Sequence, residues 1–196
     1  MSGTKKTVRI GGSSGFWGDT ETAPGQLVRH GRIDYLVNDY LAEVTMSIMA
    51  AQKMKNPQAG YATDFVTAVM APLAKEIADR KIKVVTNAGG VNPQACAEAV
   101  REACEAAGVT LKVAVVMGDD LMGKIPELRA AGITEMGGAA PLPAKILSIN
   151  AYLGGFPIAR ALAEGADVVI TGRCVDSAVT LGPLIHEFGW TMDDYD

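Results

Sequence analysis

Five short runs rich in β-branched and other apolar residues recur along the chain, and longer stretches with helical periodicity separate them. None of these runs alternates strictly between apolar and polar positions, which is typical of strands covered on both faces. Strands and helices that alternate in this way predict an α/β fold: a mostly parallel, Rossmann-like sheet with helices on both faces, in three layers. The predicted strands are Thr7–Gly11, Tyr35–Val37, Lys83–Asn87, Lys112–Met117 and Asp167–Thr171.

The helical stretches differ in how much of their surface is apolar. The stretch from 41 to 54 is apolar nearly all round, so we expect a well-buried helix. The stretch from 62 to 80 carries one apolar stripe, and its Pro72 either kinks the helix or begins a second one. Gly132–Pro143 is the loosest region, and we expect a surface excursion or a lid there. The predicted helices are Leu41–Met54, Ala62–Arg80, a helix capped by Asn92 and Gly108, and Ala144–Glu164, kinked or divided at Gly154-Gly155.

Composition narrows the class of protein. The chain has 196 residues, 48% hydrophobic and 20% charged, so we expect one globular domain spanning residues 1–196. Its net charge of -4 disfavours nucleic acid as a partner, because phosphate binding needs a concentrated basic surface. No run is long and apolar enough for a membrane helix, and no secretory signal opens the chain. The three cysteines show no metal-binding spacing, which favours reduced thiols and the cytoplasm.

Polar residues and glycines follow each predicted strand. Because the carboxyl ends of parallel strands share one edge of a sheet, we expect these residues to meet around a small-molecule site. Turns also favour the same residue types, so each exit alone has a structural explanation. The five exits are 11–19 (GGSSGFWGD), 38–43 (NDYLAE), 86–92 (TNAGGVN), 118–120 (GDD) and 171–177 (TGRCVDS).

The first exit is rich in glycine and hydroxyl groups. Its backbone amides and the helix that follows would suit a phosphate or carboxylate, although a structural turn packed by aromatic residues explains it equally well. The spacing matches neither the dinucleotide fingerprint nor the P-loop, so Asp39 at the second exit is weak evidence for nicotinamide binding. The candidate substrate-binding residues here are Gly12, Ser13, Ser14, Gly15, Phe16 and Trp17.

The third exit offers Asn87 together with the amides of Gly89 and Gly90, a set that suits a developing oxyanion such as an enolate oxygen. Proton transfer is assigned to carboxylates, because burial beside apolar groups can bring their pKa toward neutrality. The candidates are Asp39, Glu43 and Asp176, with His186 as a further acid–base group of undefined role. The two histidines lack zinc spacing, so we expect no metal site.

The fifth exit contributes Arg173, whose fork can hold a carboxylate or phosphate, with Ser177 beside it. A structural ion pair between Arg173 and Asp176 explains the same residues. Cys174 could act as a nucleophile next to Arg173, but no histidine is near it in sequence.

Several of these exits together resemble one family. The segments 11–19 (GGSSGFWGD), 34–46 (DYLVNDYLAEVTM), 85–93 (VTNAGGVNP), 171–178 (TGRCVDSA) and 182–190 (GPLIHEFGW) are similar to the acyclic terpene utilisation (AtuA-like) family. The resemblance implies catabolism of isoprenoid or branched acids as CoA thioesters, with no established catalytic residues. It also implies that the chain corresponds to the N-terminal part of a longer or split protein.

The expected function is therefore an enzyme of carboxylate or acyl-CoA catabolism with hydratase- or lyase-like acid–base chemistry. A nucleotide-dependent enzyme, either a dehydrogenase or a phosphoryl transferase, is the first alternative. A non-catalytic subunit of a split enzyme is the second. The apolar stretch from 41 to 54 also predicts a homo-oligomer or association with a second subunit. The cofactor stays undefined, with a CoA thioester as a candidate substrate.

Overall fold

In this computed structural model, which describes residues 6–194, one sheet holds five strands that all run parallel. Their spatial order is β1-β2-β3-β5-β4, so β5 lies between β3 and β4. Valine and isoleucine dominate the central strands, where side chains are buried on both faces. The strands are β1 Ile10–Ser14, β2 Tyr35–Asn38, β3 Lys83–Thr86, β4 Val113–Val116 and β5 Val168–Thr171.

Helices cover both faces, and the fold is the three-layer α/β fold that the sequence predicts. The first four α-helices bury their apolar sides in one core, whereas the last two pack against the other face. The helices of the described residues are α1 Ala23–His30, α2 Glu43–Lys55, α3 Ala71–Arg80, α4 Pro93–Ala106, α5 Ile125–Ala130, α6 Phe156–Ala163 and α7 Ala178–Phe188. Among residues 6–194, none of these helices has the length and apolar character that a membrane crossing requires.

The 62–80 stretch contains two kinds of helix. A π-helical segment, Phe65–Met70, leads into α3, and Pro72 lies in the first turn of α3. Proline has no N–H to donate to the preceding turn, so the hydrogen-bond register changes where Pro72 enters. The sequence predicted either a kink or a second helix at Pro72, and the structure shows an uninterrupted helical stretch from 63 to 80 that changes type just before Pro72.

The prediction of a helix at Ala144–Glu164 is wrong over its first half. Only Phe156–Ala163 is helical, whereas residues 149–151 pair with 119–121 in antiparallel fashion. Leu121 N donates to Ile149 O at 2.9 Å, and Ala151 N donates to Asp119 O at 2.8 Å. These backbone bonds to a distant segment replace the helical ones, and Gly154-Gly155 marks the boundary as expected.

Burial of α2 is only partial. Met46 and Met49 are buried, but Val44 is 72% and Ile48 48% exposed. The prediction of a well-buried helix is therefore wrong for one face, where apolar residues point to solvent. By contrast, residues 131–141 are all exposed, which confirms the predicted surface excursion.

Two smaller predictions also need correction. Strand β1 begins at Ile10 and ends at Ser14, three residues later than predicted, so half of the expected glycine-rich loop is strand. Asn92 precedes α4 but makes no side-chain cap, and its Nδ2 donates to Pro57 O and Ala59 O. Gly108 does end the helix, in the left-handed conformation that glycine adopts easily.

Candidate functional site

The chain leaves the neighbouring strands β3 and β5 toward opposite faces of the sheet. After β3 it enters α4, which packs beside α3, and after β5 it enters α7, which packs against α6. Ligands of open α/β sheets bind in the crevice that such a divergence opens at the carboxyl ends of the strands. Asn87 directly follows β3 and Arg173 lies two residues after β5, so the two residues border this crevice.

Asn87 fixes the position of Asp39 across the gap between β2 and β3. The Asn87 side chain is fully buried; its Oδ1 accepts from Tyr40 N at 2.7 Å, and its Nδ2 donates to Asp39 Oδ1 at 2.5 Å. Because both ends of the amide are used, its orientation is defined. Asn87 therefore aims the Asp39 carboxylate.

Asp39 has an unusual pKa for an aspartate. Burial raises the pKa of Asp39 above its ordinary value, the hydrogen bond from Asn87 opposes that rise, and the negative charge of Asp176 adds to it. The positive charge of Arg173 lowers the same pKa. Asp176 and Arg173 thus lie close enough to Asp39 to act on its charge, as expected of residues at a common edge of the sheet.

Arg173 is buried, with 4% of its surface exposed, and its guanidinium has several partners. Nη1 donates to Cys174 O and to Asp176 Oδ1, both at 2.8 Å, and Nη2 lies 3.4 Å from Glu43 Oε1. The ring of Tyr152 stacks on the guanidinium, with 4.2 Å between the guanidinium carbon and the ring centroid. Nε has no hydrogen-bond partner among the described residues.

Tyr152 and Glu43 close one side of Arg173. The Tyr152 hydroxyl donates to Glu43 Oε1, and this bond is the largest of the causes that lower the pKa of Glu43. Beside them lies a cavity of about 250 Å³, which we call the Arg173 cavity. Its lining residues are Glu43, Met46, Ser47, Ser148, Ile149, Asn150, Tyr152 and Arg173.

Asp119 holds the backbone of Arg173 through a hydrogen bond, a role that the sequence did not reveal. Its buried Oδ2 accepts from Arg173 N at 2.7 Å and from Asn150 Nδ2 at 2.9 Å. Burial raises the pKa of Asp119, and those two hydrogen bonds oppose the rise. Gly172 makes room for this carboxylate, since a Cβ there would lie 2.4 Å from Asp119 Oδ2. An aspartate three residues after β4 was the only sequence signal.

The glycine amides of the third exit point into the protein rather than toward a ligand. Gly89 N donates to Thr171 O at 3.1 Å and Gly90 N to Asn87 O at 3.3 Å, and both glycines are buried. A Cβ on Gly89 would lie 2.5 Å from Thr171 O, so glycine allows the β3 and β5 exits to touch. The structure therefore gives these amides a structural role in place of the expected oxyanion contact.

The donors of the first exit are also largely occupied. Gly12, Ser13 and Ser14 lie in β1; the Ser13 hydroxyl is buried, and Ser14 Oγ donates to Asp39 O at 3.2 Å. Gly15 N donates to Asp19 Oδ2 at 2.9 Å, where an anion was expected. Phe16 is 56% exposed, whereas Trp17 packs partly against the core and its backbone N–H donates to Tyr40 O.

Three further candidates occupy different surroundings. Cys174 is fully buried, and burial raises its thiol pKa, which disfavours a thiolate nucleophile. Ser177 lies exposed at the start of α7 without capping it. His186 lies in the last turn of α7, distant in the fold from the strand exits.

Within residues 6–194, no group of three or more His, Cys, Asp or Glu side chains could hold a metal ion. A family model described as acyclic terpene utilisation family protein AtuA matches residues 8–196, nearly the whole chain. No curated protein matches the chain.

Proposed function

The chain belongs to the AtuA family of acyclic terpene utilisation proteins, and from this premise we propose that it is a catabolic enzyme acting on a carboxylate or acyl-CoA thioester. The reaction that we propose is an acid–base step of hydratase or lyase type. The observation that carries this proposal is a half-buried carboxylate, Asp39, held by Asn87 beside the buried cation of Arg173.

Asp39 is the proposed proton-transfer group. Its pKa is raised by burial, which brings the carboxyl group closer to the range in which it can both accept and return a proton. In a hydration, the Asp39 carboxylate would take a proton from the attacking water while the water oxygen bonds to the β-carbon of the substrate. Return of a proton to the α-carbon would complete the addition. Asn87 acts as a positioning residue because it is fully buried.

Arg173 is the proposed anchor for the anionic part of the substrate. Its Nε has no partner among the described residues, and its contact with Glu43 is long at 3.4 Å. A carboxylate or phosphate entering the Arg173 cavity would replace Glu43 at Nη2, because Glu43 is exposed and its contact with Nη2 is long. Asp176 and Tyr152 would keep the guanidinium in place during this exchange.

Hydration of branched 2-enoyl-CoA thioesters, followed by loss of absorbance of the conjugated thioester, tests the proposal. Asp39→Asn should lower turnover at least about a hundredfold, which is the usual contribution of a positioned acid–base group. Asp79→Asn is the matched control, because Asp79 is exposed on α3. Wild-type turnover in Asp39→Asn, with both variants folded by circular dichroism, would remove Asp39 from the chemistry.

A nucleotide-dependent enzyme is separated from this proposal by thermal shift with NAD, NADP, ATP and CoA. We expect stabilisation by CoA alone, because the amide of Gly15 is already bonded to Asp19 and the first exit offers few free donors to a dinucleotide. Stabilisation by NAD or ATP without CoA would favour the alternative.

Association with a second subunit is a second proposal, and the exposed face of α2 favours it. Val44 and Ile48 lie one turn apart on that face, next to Glu43, and expose most or half of their surface. Burial against another chain would remove this apolar area from water. Light scattering after size exclusion should show a mass above that of one chain, and Val44→Asp should reduce it to the monomer value.

A further inference from the structure

Three large apolar side chains surround a second cavity and remain open to solvent. Met54 is 67% exposed, Leu147 47% and Met122 38%, and together they border a space of about 270 Å³ between α2 and the segment around 148. We call this space the Met54 groove. Ala50 and Val91 contribute further apolar walls. Isolated exposed apolar residues are common, but a clustered set around a concave space marks a binding surface.

Three polar residues of the Met54 groove, Lys53, Asp120 and Asn150, each have a partner within the protein. Lys53 Nζ donates to Val91 O at 2.6 Å, and Asp120 Oδ1 accepts from Met122 N at 2.8 Å. Asn150 Nδ2 donates to Asp119. With Met54, Met122 and Leu147 open to solvent, the groove offers an incoming ligand mainly apolar contact.

The Met54 groove adjoins the Arg173 cavity. Ser148 and Asn150 line both spaces, so the two cavities share a wall where the chain passes over the strand exits. The Arg173 cavity has the guanidinium of Arg173 and the carboxylate of Glu43, and the adjoining Met54 groove has methionine and leucine. This polarity matches a molecule with an anionic head and an aliphatic tail.

We propose that the Met54 groove binds the aliphatic chain of the substrate whose carboxylate or thioester end lies at Arg173. The inference rests on the proposed function for the position of the head group alone. The groove itself would select for chain length, because burial of each methylene group gains about 0.8 kcal/mol, or about fourfold in affinity.

Calorimetric titration with two matched series tests the groove and the head group separately. The first series is straight-chain carboxylates from butanoate to decanoate, and the second is the corresponding primary alcohols. Affinity should rise about fourfold per methylene in both series until the groove is full, and the acids should bind more tightly than the alcohols by a constant factor. A flat dependence on chain length in both series would overturn the inference.

Substitutions in the Met54 groove test whether the aliphatic chain of the ligand binds there. Met54→Asp and Leu147→Asp place a charge on the rim and should remove the dependence of affinity on chain length. Met136→Asp is the matched control, since Met136 is fully exposed in the surface excursion and should leave the dependence intact. Unchanged dependence in both groove variants would place the chain elsewhere and overturn the inference.

The two proposals can fail independently. One outcome is that affinity depends on chain length and on the groove substitutions while the acids bind no more tightly than the alcohols. In that case the proposal for the Met54 groove is supported and the anchoring role of Arg173 is wrong. If butanoate binds through Arg173 but longer chains bind no better, the anchor stands and the groove proposal fails.

Discussion

Asn87 and Asp39 lie 48 positions apart in sequence, yet their side chains share a hydrogen bond of 2.5 Å at the carboxyl edge of the sheet. The same amide accepts from the backbone of Tyr40, so one buried side chain joins the exits of β2 and β3. Parallel pairing places Asn38 opposite Thr86, and the residues that follow the two strands therefore come together. The register of β2 against β3, rather than the conformation of the flanking loops, therefore determines where the Asp39 carboxylate lies.

Replacing Asn87 with alanine should destabilise the protein by about 1 to 3 kcal/mol, because the Tyr40 amide and the Asp39 carboxylate would each lose a buried partner. Urea unfolding followed by circular dichroism measures the change. Asn56→Ala is the matched control on an exposed position at the end of α2 and should cost less than about 0.5 kcal/mol. Equal unfolding free energies for the two variants would contradict the role of Asn87.

Asp39→Asn should change how stability depends on pH. Since burial raises the pKa of Asp39 in the folded state, the folded protein holds the proton more tightly than the unfolded chain. The native carboxyl group therefore costs stability as pH rises from the ordinary aspartate pKa through the raised value. Removing the ionisable group should stabilise the protein at pH above that window and have little effect below it. The measurement is the urea midpoint of the wild type and of Asp39→Asn from acidic to neutral pH. If Asp39→Asn stabilised the protein more in acid than at neutral pH, the predicted direction of the pKa shift would be wrong.

The sequence was sufficient to predict the sheet and its shared edge. Val84 and Val85 are both fully buried although they point to opposite faces, which explains why the strand sequence shows no alternation and why helices had to cover both sides. The parallel arrangement then brought Asp39, Asn87 and Arg173 to one edge. The sequence therefore predicted that these polar residues lie at one edge of the sheet, because that placement follows from the common direction of the strands.

The sequence was not sufficient to predict the partners of those residues. The sequence predicted a helix at Tyr152, because the apolar spacing from 144 to 164 is helical. In the structure, residues 149–151 pair instead with the backbone of 119–121, and this pairing places Tyr152 against Arg173. The sequence predicted a ligand-facing amide at Gly89 and assigned no role to Gly172. Their real constraint is contact with Thr171 O and with Asp119, which depends on tertiary packing.

Tyr152→Phe should raise the pKa of Glu43 toward its ordinary value, because the Tyr152 hydroxyl is the largest cause that lowers it. The expected direction follows from the loss of a hydrogen bond to the charged form of the carboxylate. Carboxyl titration by nuclear magnetic resonance measures the shift. Tyr61→Phe serves as the control, since Tyr61 packs against the core and is not among the groups that act on Glu43. A pKa of Glu43 that is the same in both variants would show that the hydroxyl does not hold this carboxylate.

Gly172→Ala should destabilise the protein by about 1 to 3 kcal/mol or more, because its Cβ would lie 2.4 Å from Asp119 Oδ2. The carboxylate cannot simply turn away, since Arg173 N and Asn150 Nδ2 both bond to that oxygen. Gly123→Ala is the matched control: a Cβ there meets nothing within 4 Å, and its cost should stay within about 0.5 kcal/mol.

A double-mutant cycle identifies the cause of the Gly172 effect. If the clash with the carboxylate dominates, Gly172→Ala combined with Asp119→Ala should cost clearly less than the sum of the two single changes. Urea unfolding of the four proteins gives the coupling free energy. Additive costs would mean that the alanine methyl group is unfavourable for a reason other than Asp119, and that Gly172 does not exist to admit the carboxylate that supports Arg173.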